Sequence, residues 1–163
     1  MKTLYIKQKI FSLGGKFTVK DVNEVDVYYI EGSLMKIPKS YSIKNAEMDK
    51  VALITKKMFS LMPTFFVETV GQEDVTIKKE FTFFKPKYTI NAIGIDVQGN
   101  WWDMNFKVVQ NGEVIGVVDK KWFTWGDSYQ IQIMKEETES LIIALVVAID
   151  CAKATQAATN SSI

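Results

Sequence analysis

A run of nine consecutive apolar residues near the C-terminus, at positions 141–149, constrains the fold of this chain more than any other feature. The run is apolar on every side, and it follows three glutamates within residues 136–139. Negative charge is favourable at the start of a helix, where the macrodipole is positive. The pattern predicts a helix over about residues 138–155. A helix without a polar face is buried, either in a protein core or in a bilayer.

The length of the apolar run distinguishes these two environments. A membrane-spanning helix needs about 20 apolar residues. This run ends after nine at Asp150, and Lys153 follows one turn later. We therefore expect a core helix and not an integral membrane protein.

The rest of the chain is typical of short strands separated by turns, because β-branched and aromatic residues alternate with polar ones. Asn111-Gly112 is the clearest local signal, since this pair tolerates the positive φ angles of a type I′ turn and predicts a tight hairpin. Residues 98–100 are predicted as another turn. Strands are predicted at residues 4–11, 16–20, 25–30, 33–37, 41–44, 51–55, 64–70, 75–84, 88–97, 104–110, 113–118, 122–125 and 129–133.

A closed barrel would explain why so many strands precede one apolar helix. Roughly eight strands is the size at which side chains just fill a barrel, so about twelve strands leave a wider lumen. A helix about 10 Å across would fill that lumen, and closure would remove exposed strand edges. The sequence predicts a mostly β fold, a closed antiparallel barrel of about twelve strands around a central hydrophobic C-terminal α-helix. We expect a single domain over residues 1–155 and a short polar tail over 156–163.

The order of several segments resembles a known family. They are YIKQK at 5–9, VALITKK at 51–57, VIGVVDKKW at 114–122, DSYQI at 127–131 and the helix at 140–150. Together they are similar to the bacterial branch of the LURP-one-related proteins, within the tubby-like superfamily that also contains the phospholipid scramblases. The resemblance covers nearly the whole chain and implies a twelve-stranded tubby-like barrel around a hydrophobic helix.

The resemblance implies much less about function. Tubby domains bind phosphoinositides through basic surface residues and scramblases act on lipids, whereas LURP-one-like members have no agreed activity, and fold does not fix function. This sequence lacks the proline-rich extension and the cysteine cluster of scramblases. Lipid translocation is therefore not expected.

Two residue types are missing from the chain. There is no His, and all 20 basic residues are Lys. The commonest general base and the bidentate guanidinium group are therefore unavailable. An AT-rich genome could produce the same composition, but the chain would still have no imidazole and no guanidinium group. The formal net charge of +1 also provides no global basic field for nucleic acid, so sequence-specific nucleic-acid binding is not expected.

No catalytic, metal-binding or cofactor-binding residue is predicted. Cys151 is the single cysteine, which excludes an internal disulfide and favours a cytoplasmic location. It has no His partner, so we expect a buried, inert thiol. Asp150 is expected to be solvated or hydrogen-bonded. The acidic segment 21–26 lacks the glycine of a calcium loop and is predicted to be a charged turn. The alternating residues 1–9 lack the apolar stretch of a signal peptide.

Lysine pairs are the candidate anion-binding residues. Neighbouring residues of a strand point to opposite faces, so a pair either marks a strand end or places one ammonium on a given face. If several strand ends converge, they would hold an anionic headgroup as point charges. The alternative is a solvated surface. The candidates are Lys56, Lys57, Lys78, Lys79, Lys120 and Lys121.

Trp101 and Trp102 are a candidate partner surface, because one of two adjacent tryptophans in a strand should face outward. Core packing is the alternative for both. Taken with the missing catalytic residues, these features favour a non-catalytic binding or scaffold module that contacts anionic lipid headgroups or a protein partner. Two alternatives stay open: an enzyme that uses Lys and Asp or Glu in a pocket at the barrel mouth, and a membrane-active lipid-handling protein.

Overall fold

The strands of this chain form one antiparallel sheet that curls around the C-terminal helix. The computed structural model describes residues 1–7, 15–33, 38–80, 87–123 and 126–161. Within them the strands are β1 (Lys2–Lys7), β2 (Lys16–Lys20), β3 (Asp26–Gly32), β4 (Ser40–Asn45), β5 (Lys50–Lys56), β6 (Thr64–Thr69), β7 (Val75–Glu80), β8 (Lys87–Asn91), β9 (Ile95–Asn100), β10 (Asn105–Gln110), β11 (Glu113–Phe123) and β12 (Gly126–Ile133).

The 12-stranded sheet is a nearly closed barrel. Each strand from β1 to β8 pairs with its neighbour in sequence, β9 to β12 do the same, and β12 pairs with β1. The two remaining edges, β8 and β9, approach each other at a seam. There Tyr88 stacks on Trp102, with ring centroids 5.0 Å apart, and meets Trp101 edge-on. The predicted fold class is therefore confirmed, with aromatic contacts joining the two edge strands.

Strand alternation decides which side chains face the helix. Leu4 and Ile6 of β1 are fully buried, and they lie opposite Ile131 and Tyr129 of β12, which are fully buried too. The intervening Tyr5 is half-buried on the outer side. Because side chains of directly opposed residues share a face, the same alternation can be followed around the barrel.

The helix α1 (Glu139–Ser161) is the core of the barrel, and residues 141–149 have no exposed surface. By length and composition Glu136–Ser161 could cross a membrane, but 72% of its apolar window is buried inside the protein. The predicted core environment is therefore confirmed. At β11 the contact is so close that a Cβ on Gly116 would lie 2.6 Å from Ile142 Cδ1.

The helix is longer than predicted. It extends through Ser161, so the tail expected at 156–163 is helical over its described part. The last turns hold polar side chains that bond within the helix: Gln156 donates to Asn160 at 2.8 Å, and the Thr159 hydroxyl donates to the Thr155 carbonyl at 3.0 Å. The polar composition marked the point where the core ends and not the point where the helix ends.

The hairpin predicted at Asn111-Gly112 is confirmed. It joins β10 to β11, and the two residues have φ angles of 51° and 84°. Three other strand predictions were wrong, and the strand predicted at 33–37 lies almost wholly outside the described residues. The strands predicted separately at 113–118 and 122–125 are joined, as far as residue 123, in β11. The strand predicted at 88–97 is divided into β8 and β9 by a turn at Gly94, whose φ of 68° is incompatible with an extended strand. The turn predicted at 98–100 is part of β9.

The two ends of the barrel differ in what they contain. Odd-numbered strands run toward one end, which we call the upper end, and even-numbered strands run back to the lower end. Glu139 at the start of α1 accepts a hydrogen bond of 2.7 Å from Lys2, the first residue of β1. The helix therefore begins at the lower end and its C-terminal half lies at the upper end.

A buried carboxyl interrupts the apolar surface of α1. The Tyr129 hydroxyl of β12 donates to Asp150 Oδ1 at 2.8 Å. Burial raises the pKa of the Asp150 carboxyl above its usual 3.8, and this increase is opposed by the Tyr129 bond and the positive charge of Lys153. The expected hydrogen-bonded state of Asp150 is confirmed.

We predict that Val146→Asp destabilises the protein by about 3–5 kcal/mol or prevents folding, because an unpaired charge would replace a side chain with no exposed surface. Thermal unfolding followed by circular dichroism measures the change. The control is Val70→Asp, at a residue that is 74% exposed, where we expect a change within about 0.5 kcal/mol. If Val146→Asp melted like the parent protein, the central position of α1 would be wrong.

We predict that Asp150→Asn changes the pH dependence of stability. Below pH 3.8 the Asp150 carboxyl is protonated in both the folded and the unfolded protein, so it has no effect on stability. As the pH rises from 3.8 through the raised folded pKa, ionisation favours the unfolded protein and the free energy of unfolding falls. Asparagine keeps an acceptor for Tyr129 but does not ionise. The melting temperature of Asp150→Asn relative to the parent should therefore be higher at pH 7 than at about pH 4. The exposed Asp49→Asn is the control, and a difference that stays constant over this range would contradict the prediction.

Candidate functional site

Lysines gather at the upper end of the barrel, because the strand ends that carry them meet there. Among the residues whose side chains the structure describes, the upper-end lysines are Lys16, Lys39, Lys56, Lys57, Lys78, Lys79, Lys120, Lys121 and Lys153. The upper-end carboxylates described in the same way are Glu31, Glu80, Asp103, Asp119 and Asp150, of which Glu31 pairs with Lys16 at 3.5 Å and with Lys44 at 3.0 Å. This end therefore carries an excess of positive charge.

The lower end has the opposite balance. Its described acids are Asp21, Glu24, Asp26, Glu47, Asp49, Glu68, Glu73, Asp74, Asp96, Glu113, Glu136, Glu137 and Glu139, against Lys2, Lys20, Lys50 and Lys135, while Lys44 lies in the wall beside Glu31. Several of those lysines are paired with acids, as in Lys2–Glu139 at 2.7 Å, Lys20–Asp26 at 2.7 Å and Lys135–Glu113. The near-neutral net charge of the whole chain thus conceals two oppositely charged ends.

The three candidate lysine pairs all lie at the upper end, and each pair is divided between the two faces of the wall. Lys57, Lys78 and Lys121 are exposed. Lys56, Lys79 and Lys120 occupy inward-facing positions, since they lie directly opposite Phe65, Tyr88 and Tyr129, which are buried. The pairs therefore converge on one end, where they supply both an outer and an inner set of ammonium groups.

Lys39 lies directly opposite Lys56 on the neighbouring chain segment. The Lys56 amide donates to the Lys39 carbonyl at 2.9 Å, which extends the β4–β5 ladder by one pair. Two residues further into the barrel on the same face, Tyr41 lies opposite Ile54, and Ile43 lies opposite Ala52. Lys39 and Lys56 are therefore opposed across the two strands on the inward-facing register, at the mouth of the barrel, where Lys39 is exposed and Lys56 is half-buried. In the described residues neither side chain has an ion-pair partner.

A cavity of about 440 Å³ opens beside this lysine pair. It lies between the C-terminal half of α1 and the upper ends of strands β4 to β6. Its described lining combines cations, hydroxyls and apolar groups and contains no carboxylate. The lining residues are Lys39, Tyr41, Lys56, Phe65, Cys151, Ala154, Thr155, Ala158 and Thr159.

Tyr41 and Cys151 belong to the buried side of the cavity. The Tyr41 ring packs across Gly32, where a Cβ would lie 2.8 Å from its Cε1 atom. Burial, with a smaller contribution from Cys151, raises the pKa of Tyr41 to about 12. Burial, and then the Asp150 charge, raise the pKa of the Cys151 thiol well above 9.0. Both groups are thus protonated at neutral pH, and the expected buried thiol is confirmed.

The opposite side of α1 carries a second set of charges. Lys153 is half-buried, and burial lowers its pKa, while the nearby carboxylates of Asp150 and Asp103 act in the other direction. Lys120 adds a positive charge to the same group. Since cations and carboxylates alternate here, this cluster neutralises itself to a large extent, unlike the cavity.

Trp101 and Trp102 do not divide into one outward and one inward ring. They lie in a 3₁₀ turn after β9, both are half-buried, and their ring centroids are 5.6 Å apart. The strand geometry assumed for them is replaced by this turn, in which both rings contact Tyr88. They close the seam of the barrel, and a partner surface at these residues stays a prediction.

The acidic segment 21–26 forms a charged turn. Asp21 accepts hydrogen bonds from the amides of Asn23 and Val25, at 2.8 and 2.9 Å, and Asp26 pairs with Lys20. These bonds occupy the carboxylates within the turn. Across the described ranges, no group of three or more His, Cys, Asp or Glu residues could hold a metal ion.

Sequence reasoning did not single out Lys39 and Lys153. Lys39 becomes part of the cavity only through the register of β4 on β5, and Lys153 only through the position of α1 inside the barrel. The one sequence signal for this cavity was the strand alternation that makes Lys56 face inward. No local motif marks the residue opposite it.

Comparison with known proteins agrees with this architecture. A family model described as LURP-one-related matches residues 2–150. The chain is 30% identical to the uncharacterised protein YxjI of Bacillus subtilis (strain 168). The alignment spans 150 residues, which are 92% of this chain and 93% of YxjI. The X-ray structure of the Arabidopsis thaliana protein AT5G01750 has the same fold, with a TM-score of 0.60 and 15% identity over 93% of this chain and 91% of that one. The chain therefore belongs to the LURP-one-related family.

Proposed function

We propose that this protein is a non-catalytic binding module whose upper end docks onto an anionic phospholipid surface. The observation that carries the proposal is the separation of charge between the two ends of the barrel. A lysine near an anionic membrane surface contributes about 1 kcal/mol. Several lysines on one end add their contributions and turn that end toward the membrane. The same lysines spread over the whole surface could not all contact the membrane at once.

The outer lysines are suited to this contact. Lys57, Lys78 and Lys121 are exposed and have no ion-pair partner among the described residues. Binding an anionic surface therefore does not require them to leave an internal partner. The acidic lower end faces away from the membrane in this orientation, so repulsion from its carboxylates is screened over roughly two to three Debye lengths at physiological ionic strength.

The enzyme alternative receives less support from the geometry. The described cavity has no carboxylate in its lining to act as a general acid or base beside its lysines. The half-buried Lys153 has a lowered pKa, but it lies among Asp150, Asp103 and Lys120 on the other side of α1. Insertion of α1 into lipid would remove from the barrel the helix whose residues 141–149 form its core.

As part of this proposal, the protein acts in the cytoplasm. Its barrel is proposed to be a tubby-like domain. The single thiol, Cys151, is free and buried, and it contributes no disulfide. Anionic phospholipid is abundant on the cytoplasmic leaflet. The twelve-stranded barrel around a hydrophobic helix is the arrangement implied by the tubby-like resemblance.

We predict that Lys57→Glu/Lys121→Glu reduces binding to vesicles that contain phosphatidylserine, because each substitution turns attraction into repulsion at the docking end. Co-sedimentation with phosphatidylcholine vesicles, with and without phosphatidylserine, measures the fraction bound. The parent protein should bind the anionic vesicles in a salt-sensitive manner. The variant should bind at least about tenfold more weakly, since roughly 1 kcal/mol per lysine is lost and further repulsion is added.

The matched control is Lys50→Glu/Lys107→Glu, which makes the same change in net charge at exposed residues of the lower end and of the wall. This control should retain most of the binding. Equal losses in both variants would mean that only net charge matters and that the upper end is not a docking surface. Absence of binding by the parent protein at low salt would reject the lipid proposal in favour of a protein partner.

A further inference from the structure

We propose that the cavity beside Lys39 and Lys56 binds a phosphomonoester that carries an apolar group. The phosphate would lie between the two ammonium groups, and the apolar group would lie along Phe65 and α1. This inference rests on the proposed function to the extent that both place an anion at the upper end, and it adds a specific pocket and ligand class.

The first argument is the opposition of like charges. Lys39 and Lys56 are directly opposed across β4 and β5, on the side of the sheet that faces the helix. Like charges in this position destabilise a sheet, and at the mouth of the barrel Lys56 is half-buried while Lys39 is exposed and reachable by an anion from solvent. The described lining provides no carboxylate to compensate them. An anion from outside would remove the repulsion and gain two charge-assisted hydrogen bonds.

The second argument is the character of the remaining lining. The nearly buried Phe65 closes the inner end of the space, and the half-buried Ala154 and exposed Ala158 of α1 present small apolar surfaces to it. Thr155 and Thr159 add hydroxyl groups beside them. A cavity of about 440 Å³ falls in the usual size range of ligand pockets, roughly 300–1,000 Å³. Its chemistry thus suits a ligand with one charged end and one apolar end.

The third argument concerns the charge of the ligand. A phosphomonoester carries nearly two negative charges at neutral pH, since its second pKa is about 6, so it matches two ammonium groups. It also has three acceptor oxygens, which can take bonds from the two lysines and the Thr155 hydroxyl together. A phosphodiester or carboxylate carries one charge and would leave one lysine uncompensated. The same phosphomonoester could be a lipid headgroup or a free metabolite.

The test uses phenyl phosphate as the soluble probe and the full chain. Phenyl phosphate should raise the melting temperature of the parent protein more than inorganic phosphate does, because the ring adds apolar contact. Lys39→Met/Lys56→Met should weaken phenyl phosphate binding by at least about tenfold, as expected for the loss of two hydrogen bonds to charged groups. Without ligand, this variant should melt at or above the temperature of the parent, because the like-charge repulsion is gone.

The matched control is Lys57→Met/Lys78→Met, which removes two exposed lysines of the same end. It should bind phenyl phosphate like the parent but should bind anionic vesicles less well. Equal weakening in both variants would overturn the inference, as would the lack of any thermal shift with phenyl phosphate. In the latter case, salt-sensitive vesicle binding by the parent would show that the docking proposal stands without the pocket.

A vesicle comparison identifies the source of the ligand. If the phosphomonoester is a lipid headgroup, the parent should prefer phosphatidic acid to phosphatidylserine at equal surface charge, and Lys39→Met/Lys56→Met should lose that preference. If the ligand is a free metabolite, phenyl phosphate should bind while the two vesicle types bind equally. Either result supports the pocket, and phenyl phosphate binding that survives Lys39→Met/Lys56→Met would reject it.

Discussion

Burial of the apolar helix is the constraint on which the rest of this structure depends. Residues 141–149 of α1 have no exposed surface, and twelve strands surround them. A narrower barrel would have no room for a helix, and an empty barrel of this width would have no core. The helix and the number of strands are therefore each a consequence of the other. Even local features such as Gly116, which lies against Ile142, follow from this packing.

The same packing explains where polar groups are tolerated. Below the mouth of the barrel, the buried positions of the strands are almost all apolar, and Asp150 is accommodated through its bond from Tyr129. Near the upper end the helix emerges, and inward-facing positions hold lysines such as Lys56 and Lys79. A lysine that would be destabilising deeper in the barrel is tolerated at the mouth, because water can reach it there.

Much of this fold could be predicted from local patterns. The hairpin at Asn111-Gly112 needed only the φ preferences of two residues, and the core helix needed only the length of its apolar run. The predictions that were wrong depended on longer-range structure. Strand 88–97 was divided by a single glycine, Gly94, and α1 extended past 155 because bonds along the helix hold its polar end. The candidate site was foreseen only as lysine pairs, without Lys39.

The sequence alone determined the class of fold, the burial of α1 and the absence of histidine and arginine chemistry, since these follow from composition and from patterns within a few residues of each other. Only the tertiary structure decided which charges share a surface. Lys39 and Lys56 become neighbours through the register of two consecutive strands, and the acids of the lower end are separated from both by the height of the barrel. Electrostatic interaction depends on distance in space, and that distance is set by the closed sheet.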